Sequence, residues 1–285
     1  MVKAVILDVD GVIVGKKQGF NFPNPNIEVI KLFKKVKAQG IPIILCTGKF
    51  NFAIKDIIYN AHLDNPHITD AGSLIIDPLN KKIIKEHLIE KSLVFNLVQK
   101  ALENNIYLEL YTSNDYFIQK GQDENITKKR TPILQKYPVI KDSLTKIIDH
   151  EKIIKIIYFT KNDKEKVKAS QLLNSFKNKA HIVWSMHPAI TPIEPCLITA
   201  PNVSKKHAVI ETAESLNIHF ENILGIGDTL GDWHFMEMCK YVSVPKNSEE
   251  ELKSLVLKKG KEFSFIGPSV DENGIIEIFK HFNIV

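Results

Sequence analysis

Two short apolar runs near opposite ends of the chain each stop on aspartates. Lys3-Ala4-Val5-Ile6-Leu7 runs into Asp8-Val9-Asp10-Gly11, and Ile223-Leu224-Gly225-Ile226-Gly227 runs into Asp228-Thr229-Leu230-Gly231-Asp232. A continuous apolar run this short has no polar face. It reads as a strand buried on both sides, the condition of a parallel sheet covered by helices. In such sheets ligands bind beyond the carboxyl ends of the strands. Four acids delivered to that edge repel one another unless a cation neutralises them, and an all-oxygen set suits Mg²⁺ better than zinc. An aspartate capping a loop turn would account for Asp8 alone, but not for the pair of acidic strand ends.

The segments around these runs alternate strand with helix. Residues 26–39 place Ile27, Ile30, Leu32, Phe33 and Val36 near helical spacing ahead of Gly40, and Ile41 to Cys46 then forms a strand followed at once by Thr47-Gly48-Lys49. Strand, helix, strand implies a right-handed parallel crossover. A second helix is expected over 51–61, and a strand, a Gly-containing bend and a strand over 68–77. The pattern changes between 82 and 197. There we expect a helix over 90–104, a strand pair over 106–119, a polar loop over 121–130 and a short helix near 131–136. Strands near 153–160 and 180–185 flank a helix over 164–176. Alternation returns with helices at 205–216, from 232 and at 274–281, and a strand at 241–244. The expected organisation is α/β. A doubly wound, Rossmann-like parallel-sheet core is built from residues 1–81 and 198–285, interrupted by an α+β insert over 82–197 that is large enough for its own core.

Asp8-Val9-Asp10-Gly11-Val12, Thr47-Gly48, Lys205 and Gly227-Asp228-Thr229-Leu230-Gly231-Asp232 stand in the order of the four motifs of the haloacid dehalogenase (HAD) superfamily, and the chain resembles its phosphohydrolases. The insert between the second and third motifs is similar to the type-2 (IIB) cap of the Cof-like branch. The resemblance implies a Mg²⁺-dependent phosphatase acting through an aspartyl-phosphate. Asp8 would be the nucleophile and Asp10 the acid and base. Thr47, Gly48 and Lys205 would bind the phosphoryl group. The metal would be held by Asp8, the carbonyl of Asp10 and Asp228, with Asp232 ligating or orienting a metal-bound water. In Ser204-Lys205-Lys206-His207-Ala208 the register of related sequences selects Lys205, leaving Lys206 as a solvated helix-start lysine. A cap of this size would select a small phosphorylated metabolite of the sugar-phosphate or phosphoglycerate type and exclude bulk water. Two other readings remain open at this point: a phosphotransferase like the phosphomannomutases, or a phosphate-binding regulatory protein with little turnover. The chain departs from the family pattern at Val12, which puts little in doubt. Ala71-Gly72-Ser73 replaces the usual Asn-Gly-Ala, and Gly231 replaces the asparagine before Asp232. These two changes weaken any transfer of substrate contacts.

Composition narrows the field. With 38 basic and 33 acidic residues the formal charge is +5, yet Arg130 is the only arginine, which argues against a reader of nucleic-acid bases. The run Lys128-Lys129-Arg130 is expected to be a solvated loop. No apolar stretch reaches the roughly 18 residues of a membrane span. Three scattered cysteines fit no disulfide framework, so a cytoplasmic protein is expected, as a monomer or homodimer. None of the 10 histidines forms a metal-binding pair on an expected helix. Cys46 reads as a small core residue, and Trp184 and Trp233 as packing residues.

Overall fold

The computed structural model describes residues 1–185 and 190–285. The chain forms two compact units, Met1–Lys85 with Lys205–Val285, and Glu86–Ser204. In the first, β1 (Ala4–Leu7) is followed by α1 (Ile27–Ala38), β2 (Ile43–Leu45) and α2 (Lys55–Ala61), then β3 (His67–Thr69), β4 (Leu74–Asp77) and β5 (Lys82–Glu86), whose last residue belongs to the second unit. The second unit carries α3 (Lys91–Glu103), β6 (Tyr107–Tyr111), β7 (Tyr116–Gln119), α4 (Glu124–Leu134), β8 (Val139–Lys141), β9 (Lys155–Thr160), α5 (Asp163–Asn174), β10 (His181–Trp184) and β11 (Glu194–Thr199). The chain returns to the first unit with α6 (Lys205–Ser215), β12 (Ile223–Ile226), α7 (Leu230–Met236), β13 (Tyr241–Pro245), α8 (Glu250–Leu257), β14 (Ser264–Gly267) and α9 (Ile275–His281).

Five of these strands form a parallel sheet in the order β14-β13-β12-β1-β2. β1 is interior, between β12 and β2, and every side chain in it is buried. Val5 and Leu7 face a core with Val29, Phe33, Ile57 and Phe279, from α1, α2 and α9. Ala4 and Ile6 face another with Val209, Phe235 and Val256, from α6, α7 and α8. Helices therefore cover both faces, and period-two alternation lets one strand serve both cores. The strand order reverses between β1 and β12, so the carboxyl ends of these two strands flank the switch point of the sheet.

The second unit is a six-stranded mixed sheet, β10-β11-β9-β6-β7-β8, antiparallel except for β7 with β8. Leu93, Leu97, Val98 and Leu173 from α3 and α5 pack on Leu108, Leu110, Ile156 and Ile198. The expected polar loop over 121–130 is instead helix α4, and Arg130 is buried rather than solvated. Its guanidinium lies 3.3 Å from buried Glu109 and 3.1 Å from the Tyr111 hydroxyl, and sits 4.9 Å from the ring centroid of Phe159. Tyr111 in turn donates to Glu109. The arginine occupies the middle of the inward stripe Ile126, Arg130, Leu134, and its charge disguised that stripe as solvent-facing.

No helix among the described residues is long and apolar enough to cross a membrane. Removing one partner of a buried ion pair strands the other, so Arg130→Ala is expected to destabilise the chain by about 3 kcal/mol. Lys128→Ala, at an exposed side chain, should change stability by less than about 0.5 kcal/mol. Urea unfolding of the two variants checks this; equal midpoints would remove the structural role of Arg130.

Candidate active site

β1 hands Asp8 to the switch point, with the Asp8 amide still donating to Ile226 of β12 at 3.0 Å. The chain then turns sharply: Gly11 donates to Val14, and Ile13 and Val14 both donate back to Val9. Gly11 has φ +73°, and a Cβ there would lie 1.9 Å from Asp228 Oδ2. Glycine is required by both conformation and space. Gly227 plays a similar part, since a Cβ on it would meet the Asp232 Cβ at 2.3 Å. These two close approaches bring Asp8, Asp228 and Asp232 together, with one carboxylate oxygen of each within 4.8 Å of the others.

Lys205, the first residue of α6, bridges two of the three. Its Nζ lies 2.7 Å from Asp232 and 3.2 Å from Asp8. The other oxygen of Asp232 accepts from the amides of Asp228 and Thr229 and from the Thr229 hydroxyl, closing a capping box on α7. Asp232 is thus engaged through both oxygens by donors of the protein. Asp8 differs: one oxygen faces Lys205, while Oδ1 is buried with no hydrogen-bond partner. Burial raises the Asp8 pKa to about 7, against the pull of Lys205 and with the repulsion of Asp232 and Asp10 added. Burial likewise raises that of Asp228 to about 8, reinforced by Asp8 and Asp232. The same two carboxylates hold Lys205 firmly charged despite its desolvation.

An orphaned buried carboxylate oxygen beside an acid that resists ionising calls for a cation, and the all-oxygen donor set fits Mg²⁺. Asp8 and Asp228 have the free acceptor capacity; Asp232 has little left.

The remaining sequence-derived residues lie around this group. Thr47 and Gly48 follow β2, the neighbour of β1. Thr47 is buried, its amide donates to Ile68 at 2.9 Å and its hydroxyl accepts from the Lys49 amide at 3.1 Å. Space beside the Gly48 Cα is open. The Asp10 carboxylate stands outside the acidic trio, half exposed and 3.0 Å from Lys49 Nζ. Lys206 pairs with Glu237 at the surface, 2.8 Å away. Cys46 is buried, and desolvation pushes its thiol pKa well up, so it carries no thiolate. Sequence reasoning missed Lys49 and Asn247. Asn247 donates to the Gly11 carbonyl at 2.8 Å and accepts from the Val270 amide, tying the turn after Asp10 to a distant loop. Both follow strand ends, β2 and β13, so the rule that found the aspartates would also have found them.

With folded-state pKa values above that of an unfolded aspartate, the metal-free protein keeps protons that the unfolded chain has released, and its stability falls as pH rises from about 4 to about 8. A bound cation reverses that loss. Thermal melting with and without Mg²⁺ should show a stabilising shift that is larger at pH 8 than at pH 6, and that Asp228→Asn removes. No Mg²⁺ response at either pH would dismiss the metal site.

Comparison with known proteins gives the family and the fold. A family model for the haloacid dehalogenase-like hydrolases matches residues 5–279. Phosphatase YwpJ of Bacillus subtilis is 19% identical over 98% of this chain and 99% of its own. A haloacid dehalogenase-like hydrolase from Bacteroides thetaiotaomicron superposes with a TM-score of 0.84 at 16% identity, covering 99% of this chain and 100% of that one. A sugar phosphatase of HAD subclass IIB superposes with a TM-score of 0.77 at 18% identity over the full length of both. The chain belongs to the haloacid dehalogenase-like hydrolase family, with the parallel core sheet and separate inserted mixed sheet of its IIB branch.

Proposed function

We propose that this hydrolase is a Mg²⁺-dependent phosphatase that cleaves phosphomonoesters of small polar metabolites, of the sugar-phosphate or phosphoglycerate type. The observation that carries the reading is Asp8: a buried carboxylate at the switch point, with one oxygen against Lys205 and the other without a partner. The sugar phosphatase among the matching folds supports the substrate class.

Asp8 attacks phosphorus and becomes an aspartyl-phosphate, which divides one hard displacement into two easier ones. Asp10 protonates the leaving alkoxide and then takes a proton from the attacking water. Its carboxylate is half exposed beside Lys49, which supports a group that can exchange protons with ligand and solvent. The Thr47 hydroxyl and Gly48 amide hydrogen-bond the phosphoryl oxygens, and Lys205 offsets the repulsion between two anions, nucleophile and phosphate. Asp8, the Asp10 carbonyl and Asp228 would hold the metal, with Asp232 orienting Lys205 and the loop. When bound, Mg²⁺ supplies charge stabilisation to the transferring phosphoryl group. The three cysteines are free and buried, which suits a reducing cytoplasm.

A Mg²⁺-supplemented screen of phosphorylated metabolites should show phosphate release from one sugar phosphate or phosphoglycerate far above the rest. Asp8→Asn should lower that turnover by a factor on the order of 10⁴ or more, with the circular dichroism spectrum unchanged. Retention of most activity would defeat the assignment.

A further inference from the structure

The outer edge of β2 is only partly sealed by a strand. Towards β1 the pairing is regular, with the Cys46 amide donating to Leu7 at 2.8 Å. Among the groups facing away, beside a parallel bridge between Cys46 and Ile68, are the Ile43 carbonyl and the Leu45 and Thr47 amides. Thr47 meets a backbone partner, the Ile68 carbonyl of β3, at 2.9 Å. The other two meet side chains. Asn65 Nδ2 donates to the Ile43 carbonyl at 3.0 Å, and His67 Nδ1 accepts from the Leu45 amide at 3.2 Å. Both side chains are buried, His67 completely.

The contacts fix the state of the ring. Nδ1 faces an N–H and must accept, so the proton sits on Nε2, which donates to the Leu63 carbonyl at 3.3 Å. Burial keeps the imidazole neutral by lowering its pKa to about 4, against the opposing pull of the Leu63 carbonyl and Asp77. Beyond the ring the same segment continues to grip the chain: the Ala71 amide donates to the Thr47 carbonyl at 3.1 Å and the Asp70 amide to the Lys49 carbonyl at 2.9 Å.

We propose that His67 is a positioning residue for the phosphate-binding turn: with Asn65 it stands in for a missing stretch of strand and fixes where β2 delivers the Thr47 hydroxyl and Gly48 amide. This rests on the reading of Thr47 and Gly48 as phosphate-binding groups. His67 acts only through the backbone from Leu45 to Thr47. A buried amide stripped of its acceptor drives the backbone towards another partner, and Thr47, two residues on, moves with it. A shift of about 1 Å at a binding group is enough to cost one or two orders of magnitude.

The test uses the whole chain, p-nitrophenyl phosphate as substrate and inorganic phosphate as inhibitor. In His67→Leu we expect the KM and the phosphate inhibition constant to rise about tenfold with a smaller change in kcat. The Mg²⁺-induced melting shift should be unchanged, since Asp8 and Asp228 are untouched. His67→Asn, whose amide oxygen takes the place of Nδ1, should return both constants to near the parent values; His67→Gln, which reaches only the place of Nε2, should not. If His67→Leu does not fold, the Asn and Gln variants decide alone, and equal constants in the two overturn the proposal. Thr47→Val separates the layers. If it weakens phosphate inhibition and the His67 variants do not, the positioning role fails while the phosphatase reading stands. If Thr47→Val leaves phosphate inhibition unchanged, the phosphate-site reading fails and this inference with it.

Discussion

Three carboxylates and one lysine share a buried corner at the ends of β1 and β12, and their mutual repulsion shapes what surrounds them. Bringing Asp8 and Asp228 out of water beside each other is costly. Lys205 answers Asp8 and Asp232, and the turn amides of α7 answer Asp232 again, which leaves Asp8 and Asp228 as the unsettled pair. The backbone is arranged to permit the crowding, with glycine at the two places where a single carbon would prevent it. An acid that is destabilised in the resting protein is one that would gain most from a cation, so the crowding of the corner is itself what would favour a metal there.

The position of this corner was legible in the sequence because fully buried strands leave a plain trace. Val5, Ile6 and Leu7 cannot be polar when helices cover both faces, and the acids that end such runs stand out against them. Elements with a mixed environment were harder to read. β8 is three residues long and partly exposed, and β11 opens Glu194-Pro195, so neither shows a strand pattern. In α4 the inward stripe is interrupted by Arg130, a charged residue whose partner, Glu109, is a strand away. β14, which completes the parallel sheet, and α8 before it show no clear pattern beside the lysine-rich stretch that joins them.

The same contrast holds in the site. The aspartates and Lys205 carry the signature of the chemistry itself. His67 and Asn65 beside the Thr47–Gly48 turn, and Asn247 beside the turn after Asp10, act by pairing a side chain with a distant backbone atom, and such contacts leave no periodicity to detect. The turn at Asp70 and Ala71 is a further instance. Both residues have positive φ, a conformation that an asparagine in place of Ala71 would adopt more readily and that an alanine does not advertise.

The chain's path through the core also sets the order in which it can be made. β1 lies inside the parallel sheet, between β2 and β12, and the residues opposite Ala4 to Leu7 on β12 are Ile223 to Ile226. On a ribosome adding about 5–20 residues per second, this fully buried strand is made before β12 and waits tens of seconds for that second neighbour. All of Glu86–Ser204, with its own core, leaves the ribosome in that interval. The insert that separates β1 from β12 is therefore also a delay, during which β1 must be kept from other partners by β2 and the helices already made beside it.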